Sequence, residues 1–303
     1  MNIYILVATY NGEAYLSKQL DSIINQSIDI AEIVIVDDCS SDGTWSILQN
    51  YQSKHQNIKI YQNSQNSGCA KTFFNGLKYC SGDYIAFCDQ DDIWLPNKLE
   101  ILLNNIGDNL LIHSDAKLID ELDNIIAESH FAYSKKHRDS LFTSQIFKCN
   151  VTGCTALISR KLLDYPVPED FYIHDHYFAL LAANLNKLKF IHEKLILYRQ
   201  HSNNVYGANK FSYDKFIAHT KAVADSYSLL LDLPVFVPNY ANIKLMRDYR
   251  LAFSPKKNLS LFNIMKLLFY PRGLSFVAYY FLVGGALGKY ISKKLYNFIH
   301  RIK

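Results

Sequence analysis

Acidic residues stop at Asp248. Beyond it the chain has no Asp or Glu, while Arg250, Lys256, Lys257, Lys266, Arg272, Lys289, Lys293, Lys294, Arg301 and Lys303 supply ten cations. The whole chain carries only +4, so the body before Asp248 is net acidic. That argues against nucleic acid as a partner of the body and sets apart a basic tail suited to an anionic surface. Cysteines are few and show no C-x-x-C spacing: Cys39, Cys69, Cys80, Cys88, Cys149 and Cys154. Neither a disulfide framework nor a dithiol motif is expected from them. Met1 leads straight into an apolar run with no charged region or cleavage site, so no secretory leader and a reduced, cytoplasmic setting are expected. Long hydrophobic runs are missing as well. Gly273–Gly288 is uncharged over sixteen residues, short of the about 20 that a spanning helix needs.

Two phosphate-binding signatures are absent. No G-x-G-x-x-G follows the first apolar run and no G-x-x-x-x-G-K occurs anywhere, which excludes a dinucleotide fingerprint and a P-loop. What the 303 residues do contain is 49% hydrophobic side chains, enough for a sizeable core.

Its first hundred residues alternate in pattern. Ile3–Ala8 is an apolar run fit for a strand buried on both faces, and Leu16, Leu20, Ile23 and Ile24 recur at helical spacing. Glu32–Val36, Ile58–Tyr61 and Tyr84–Cys88 read as further strands, with helices over Thr44–Gln52 and Lys71–Tyr79 between them. This order predicts right-handed βαβ units and a mostly parallel α/β sheet flanked by helices. Leu110–His113 reads as another strand, Lys117–Ile126 as a hairpin, Tyr177–Leu185 as a helix, and Phe190–Ile191 and Leu195–Tyr198 as two short strands. From about Phe211 onward helical patterns prevail, giving a first domain over 1–207 and a helical C-terminal region over 208–303.

Ligands of an open parallel sheet bind beyond the carboxyl ends of its strands, and there the unusual polar residues lie. The first run ends in Thr9-Tyr10-Asn11-Gly12, the second in "DDCSSDGT" (Asp37–Thr44), the fourth in Asp89-Gln90-Asp91-Asp92. "NSGCAKTFFNG" (Asn66–Gly76) adds Gly68 and a cation, Lys71. Three carboxylates at one strand end cannot enter a core unpaired; either they face water at a turn or something positive meets them. Oxygen ligands at Asp89 and Asp91 suit Mg²⁺ or Mn²⁺, through which a nucleoside diphosphate can bind an acidic edge.

In this order "VATYNGE", "IVIVDDCSSDGT", "NSGCAKTFFNG" and "YIAFCDQDDIW" resemble the family-2 glycosyltransferases, which have the GT-A fold. Asp89-Gln90-Asp91 matches that family's DXD motif. "IHDHYFALLA" and "LILYRQHSNNVYG" are similar to later motifs of the subgroup that includes bacterial rhamnosyltransferases. The resemblance covers residues 1–207. It implies that Thr9 and Asp38 contact the nucleotide base, with Asp37 close by and Tyr10, Asn11, Gly68, Lys71, Asp89 and Gln90 also on the nucleotide, Asp89 towards the ribose. It implies Asp91, with His201, at a Mn²⁺ or Mg²⁺ ion on the diphosphate, and Asp175 as catalytic base, although His174 stands where the family usually has Glu. Asp92, Trp94, Gly153 and His174 are candidates for the acceptor or the donor sugar.

Such an enzyme inverts the anomeric centre in one displacement. A carboxylate takes the acceptor hydroxyl's proton while a metal offsets the charge on the leaving diphosphate. Three other readings stand beside it. A nucleotide-sugar-binding subunit without catalysis would keep Asp38, Asp89 and Asp91 and need no base. A nucleotidyltransferase would bring a basic, Gly-rich loop where this chain has Asn11-Gly12-Glu13. A zinc site on His174 and His176 would need both on one face of a strand and a third ligand. Lys289–Lys303 interleaves cations with Leu295, Tyr296, Phe298 and Ile299, a pattern suited to the interface of an anionic membrane. A polyprenyl-linked glycan acceptor at the cytoplasmic face of the membrane would fit it; the alternative is a helical pack with a solvated basic face.

Overall fold

The computed structural model describes residues 1–201 and 213–251. Contacts divide the chain into two compact units, Met1–Asn209 and Lys210–Lys303.

Strand β1 (Ile3–Thr9) is where the first apolar run places it, and Ile5, Leu6 and Val7 are fully buried. Continuous rather than alternating burial is what a strand covered by helices on both faces requires. It pairs in parallel with β2 (Glu32–Asp37) on one side and β4 (Tyr84–Cys88) on the other, and β2 pairs in parallel with β3 (Ile58–Gln62). The crossovers are α1 (Leu16–Ile24), α2 (Thr44–Lys54) and α3 (Cys69–Gly76). Helix α1 buries Leu16, Leu20 and Ile23 of the expected stripe and adds Gln19, while Ile24 is only partly buried. The helix expected over Lys71–Tyr79 ends at Gly76 and tightens into a 3₁₀ turn over Leu77–Tyr79. Gly76 has no room for a side chain: a Cβ there would lie 2.5 Å from Leu6 Cδ1 in the core of β1.

Beyond β4 the sheet changes direction. After β5 (Ile93–Trp94) and α4 (Lys98–Ile106) come β6 (Leu111–Ile119) and β7 (Ile125–Ala127), the two arms of the expected hairpin. Short helices α5 (His130–Tyr133) and α6 (Phe142–Phe147) lead to β8 (Ala156–Ser159), then α7 (His174–Asn184) and β9 (Leu188–Arg199). The strand order is β3-β2-β1-β4-β8-β6-β9-β5, with β7 on β6. Strand β8 runs antiparallel to both β4 and β6, so β6 and its parallel partner β9 point the same way as β1. The C-terminal ends of β1, β2, β4, β6 and β9 therefore share one edge. Where two short strands were expected, β9 is continuous; its polar middle, His192–Lys194, is where its register with β6 shifts.

The second unit shows α8 (Tyr213–Leu231) and α9 (Tyr240–Leu251), joined by a 3₁₀ turn over Pro234–Asn239. Val223, Ala224, Tyr227, Leu230, Phe236, Ile243 and Met246 are buried there. No helix among the described residues is long and apolar enough to cross a membrane. Gly273–Gly288 and Lys289–Lys303 lie outside the described residues.

Candidate active site

Pairing of Thr9 with Asp37 and of Val7 with Cys88 brings the polar loops after β1, β2 and β4 to one level. Hydrogen bonds then lock the loops together. Thr9 Oγ1 donates to Asp37 Oδ1 (3.0 Å), and Asp37 also accepts from the Ser40 hydroxyl (2.5 Å), the Ser40 amide (2.9 Å) and Gln62 Nε2 (3.0 Å). Asp38 accepts from Asn63 Nδ2 and from the Ser67 and Gly68 amides, each at 2.8 Å. Gly68 supplies its amide from φ 87°, a conformation closed to most side chains. Thr9, Asp37 and Asp38 are all buried. These three have protein partners for their polar atoms and hold the loops after β1, β2 and β3 together.

Gln90, also expected on the nucleotide, is tied up as well. Its Oε1 accepts from the Tyr10 amide (2.8 Å) and its Nε2 donates to the Tyr10 carbonyl (3.0 Å), so a side-chain amide extends the β1–β4 pairing past the strand ends. A Cβ at Gly12 would sit 2.2 Å from Gln90 Oε1, which explains the glycine. The Tyr10 ring itself is 46% exposed, an open face for a base. Asn11 takes φ 48° and accepts from the Ser41 amide (2.8 Å). Lys71 Nζ is 2.9 Å from Asp170 Oδ1, an exposed pair that contributes little and is readily exchanged for another anion.

The carboxylates that end β4 have unlike surroundings. Burial pushes Asp89 up to about 7, with the charges of Asp91 and Asp175 adding to the shift. Burial pushes Asp92 well above the carboxylate range too, again reinforced by Asp91 and Asp89. Both are thereby biased towards the neutral acid, so three negative charges do not gather at one strand end. Positive groups also meet the strand end. Lys98 is fully buried, donates to the Cys154 carbonyl (2.5 Å) and lies 3.2 Å from the centroid of the Trp94 ring. Burial lowers its ammonium to about 8. Arg199, also fully buried, donates its backbone amide to Asp92 Oδ1 (3.0 Å) and Nε to the Asp91 carbonyl (2.7 Å).

This burial corrects two expectations. Asp92 and Trp94 were candidates for acceptor contact, but Asp92 has no exposed surface and Trp94 only 2%. The indole packs under the Lys98 ammonium and the carboxyl anchors β9.

Asp91 and His201 do come together: Nε2 lies 2.7 Å from Oδ2. A carboxylate beside an imidazole, both retaining some side-chain exposure, fits a divalent ion that takes hard or borderline ligands. Asp89, Asp92 and Cys154 also bring ligand atoms within 4.8 Å of one another. Burial, with both carboxylates alongside, pushes that thiol well up, so the carboxyl oxygens are what this group offers a hard ion. Burial pushes the Cys69 thiol, at the start of α3, well up, and the charges of Asp89, Asp175, Asp91 and Asp38 add to the shift.

Asp175 lies in the first turn of α7. The stretch read as strand-like around "HDH" is helical from His174 onward, so His174 and His176 do not share a strand face. His174, expected near the sugar, is buried between Phe73 (ring centroids 3.9 Å) and Phe87 (4.8 Å). Burial lowers it to about 3, making it a neutral core residue with no sugar or zinc contact. His176 Nε2 lies 3.0 Å from the Gln145 carbonyl, and its Nδ1 meets the Tyr172 hydroxyl.

The Gly153 amide donates to Asp175 Oδ2 (3.0 Å). A second N–H, from His176, also reaches this carboxylate. Burial raises Asp175 to about 6, against the opposing pull of Lys136 and these two amides. Lys136 Nζ donates to Thr152 Oγ1 (2.7 Å) and the Asn150 carbonyl (3.1 Å), so cation and carboxylate are held by adjacent residues of one loop. A Cβ at Gly153 would lie 2.8 Å from His174 Nε2, and the two phenyl rings leave that imidazole nowhere to move. Gly153→Ala is therefore expected to lower stability by about 1–3 kcal/mol, read from the urea midpoint at unchanged slope.

Lys98, Lys136 and Arg199 carry no sequence signal of their own. The nearest hint is position: Lys98 opens the helix after the DXD loop, and Arg199 stands two residues before His201.

Residues 4–165 match the family model described as Glycosyl transferase family 2. The dTDP-rhamnosyl transferase RfbG of Shigella flexneri is 31% identical over 227 residues, which is 67% of this chain and 74% of that protein. The GalNAc(5)-diNAcBac-PP-undecaprenol beta-1,3-glucosyltransferase of Campylobacter jejuni is 28% identical over 262 residues, 81% of this chain and 77% of that one. Among solved structures, S. aureus TarS 1-349 in complex with UDP-GlcNAc superposes with a TM-score of 0.65 at 19% identity, over 99% of this chain and 91% of that one. The chain belongs to glycosyl transferase family 2 and has the GT-A fold.

Proposed function

We propose that this chain is an inverting, metal-dependent glycosyltransferase of bacterial surface polysaccharide synthesis. It takes its sugar from a nucleoside diphosphate sugar, dTDP-rhamnose or a UDP-sugar, and its acceptor is a glycan on a polyprenyl lipid at the cytoplasmic membrane face. The observation that carries the reading is the Asp91–His201 pair beyond the ends of β4 and β9, with Asp175 in the first turn of α7 close enough for its charge to act on Asp89. A metal-binding pair and a carboxylate able to take a proton are what a single displacement needs. Support for the donor and acceptor comes from the relatives: one is named for dTDP-rhamnosyl transfer, another for an undecaprenol-linked acceptor. The basic tail supports the membrane setting.

In this reading Tyr10 offers its ring to the base, and the loops held by Asp37 and Asp38 frame the nucleotide. Asp91 and His201 hold Mn²⁺ or Mg²⁺, which when bound neutralises charge on the leaving diphosphate. Asp175, oriented by the amides of Gly153 and His176, accepts the acceptor hydroxyl's proton. The hydroxyl oxygen bonds to the anomeric carbon as the bond to the diphosphate breaks, so the product linkage is inverted. The test is transfer of labelled sugar from dTDP-rhamnose and from UDP-hexoses to polyprenyl-diphosphate-linked glycans, with the new linkage read by NMR. One donor is expected to give an inverted product only with metal present. A retained anomer, or donor binding with no transfer to any such acceptor, would overturn the reading, the latter in favour of a binding subunit.

A further inference from the structure

The last residue of β9 ties the loop after β4 to the turn between β6 and β7. Arg199 is fully buried, and a guanidinium without solvent must find its compensation in the protein. It does so on two sides. Towards the DXD loop, Nε donates to the Asp91 carbonyl (2.7 Å) while the Arg199 backbone amide donates to Asp92 Oδ1 (3.0 Å). Towards the turn between β6 and β7, Nη1 donates to the Asp120 carbonyl (2.9 Å) and pairs with Asp123 Oδ1 (2.5 Å). That turn is itself braced. Asp120 Oδ1 accepts from the Leu122 amide (2.8 Å) and the Asn124 amide (2.9 Å), and Asp123 Oδ2 pairs with Lys18 Nζ (2.5 Å). The guanidinium also lies over the Tyr15 ring (4.6 Å), and Tyr15 packs against the His201 ring (5.2 Å).

Asp91 and Asp92 are thus gripped by one residue, through the carbonyl of the first and the carboxyl of the second. His201, whose Nε2 is 2.7 Å from Asp91 Oδ2, follows Arg199 by two positions, with the Gln200 amide bonded to the Ile119 carbonyl (2.8 Å) at the end of β6. Both members of the pair therefore take their place from a single anchor. We propose that Arg199 is the positioning residue for Asp91 and His201, and that the β6–β7 turn, through Asp120 and Asp123, is the far anchor of the metal site. This rests on the reading that Asp91 and His201 hold the metal of a metal–nucleotide complex. A lysine could not replace the arginine: one ammonium cannot reach Asp91, Asp120 and Asp123 in the fixed fan of a guanidinium. Pre-organised ligands bind without first being ordered, so loosening the anchor weakens metal binding even where both ligands remain.

The test is Mn²⁺ binding by the full chain, read as loss of the free Mn²⁺ electron paramagnetic resonance signal in the presence of dTDP or UDP, alongside melting temperature. Wild type, Asp91→Asn, Arg199→Lys and Asp123→Asn are compared. Asp91→Asn is expected to lose the binding, Arg199→Lys to weaken it about tenfold, and Asp123→Asn to weaken it several-fold, with a loss of melting temperature because the buried guanidinium gives up its carboxylate partner. Asp123 is partly exposed and is tied to Asp91 through Arg199, so this variant decides the matter if Arg199→Lys does not fold. Loss in Asp91→Asn with wild-type binding in Arg199→Lys and Asp123→Asn would overturn the positioning role alone. Wild-type binding in Asp91→Asn would overturn the metal reading and this inference together.

Discussion

Asp175→Asn is expected to lower kcat by about a thousandfold, within the 10²–10⁴ that a positioned general base contributes, while donor binding persists. The amide cannot take a proton from the acceptor hydroxyl, yet it keeps the size of the carboxylate and an oxygen for the Gly153 amide. The pH profile follows from the same residue. Burial holds Asp175 at about 6, and only the ionised form is a base, so kcat/KM should fall tenfold per pH unit below about 6 and level off above it. Stability should move the other way. The native state holds this proton up to about pH 6, whereas the unfolded chain releases it near 4, so the native state binds more protons across that interval. Folding stability therefore falls as pH rises from 4 to 6, and Asn removes that loss. An inactive variant at least as heat-stable as wild type at pH 7 is the expected outcome, the usual mark of a residue held in place for function. A folded Asp175→Asn that transfers at the wild-type rate would remove the carboxylate from the chemistry.

The part of the fold that could be read in the sequence is the part fixed by local pattern. Strands β1, β2, β3 and β4 are apolar runs closed by Asn, Asp and Gly, and the loops after β1, β2 and β4 reach one edge because parallel strands start and stop together. Strand β8 was not foreseen: four residues after a glycine turn carry too little periodicity to be told from buried coil. The start of α7 was missed because its cap position is Ile173, with no side-chain capping bond, so the usual polar start signal is lacking. Within the site, the residue types at the strand ends were legible, but their division of labour was not. The protein partners of Asp38 and Gln90, Gly68 and Tyr10, lie 30 and 80 positions away in the chain. The answer to the acidic strand end is equally non-local. Arg199 bonds to Asp91 across 108 positions of chain, and no spacing rule anticipates such a pairing.

Asp91→Asn is expected to abolish nucleotide-dependent stabilisation. In wild type, a nucleoside diphosphate at a hundred times its dissociation constant should add about 2.7 kcal/mol to folding free energy, several degrees of melting temperature, and only when Mn²⁺ or Mg²⁺ is present. The reason is charge. The edge carries Asp89, Asp91 and Asp175, with Asp89 already pushed up to about 7 by burial and its neighbours, and a bare diphosphate brought to it meets like charge. A divalent ion on Asp91 and His201 reverses the sign of that encounter, so metal and nucleotide should bind with positive coupling, each tightening the other by the same factor. Asn keeps the shape of Asp91 and the carbonyl that Arg199 grips but offers no anionic oxygen. A panel of UDP, dTDP and GDP, each with and without Mn²⁺, should then show one base stabilising wild type and none stabilising the variant. Equal shifts with and without metal in wild type would mean that the diphosphate is held by cations of the protein, Lys71 first among them. A metal-dependent shift that survives in Asp91→Asn would move the ion to Asp89 and its neighbours.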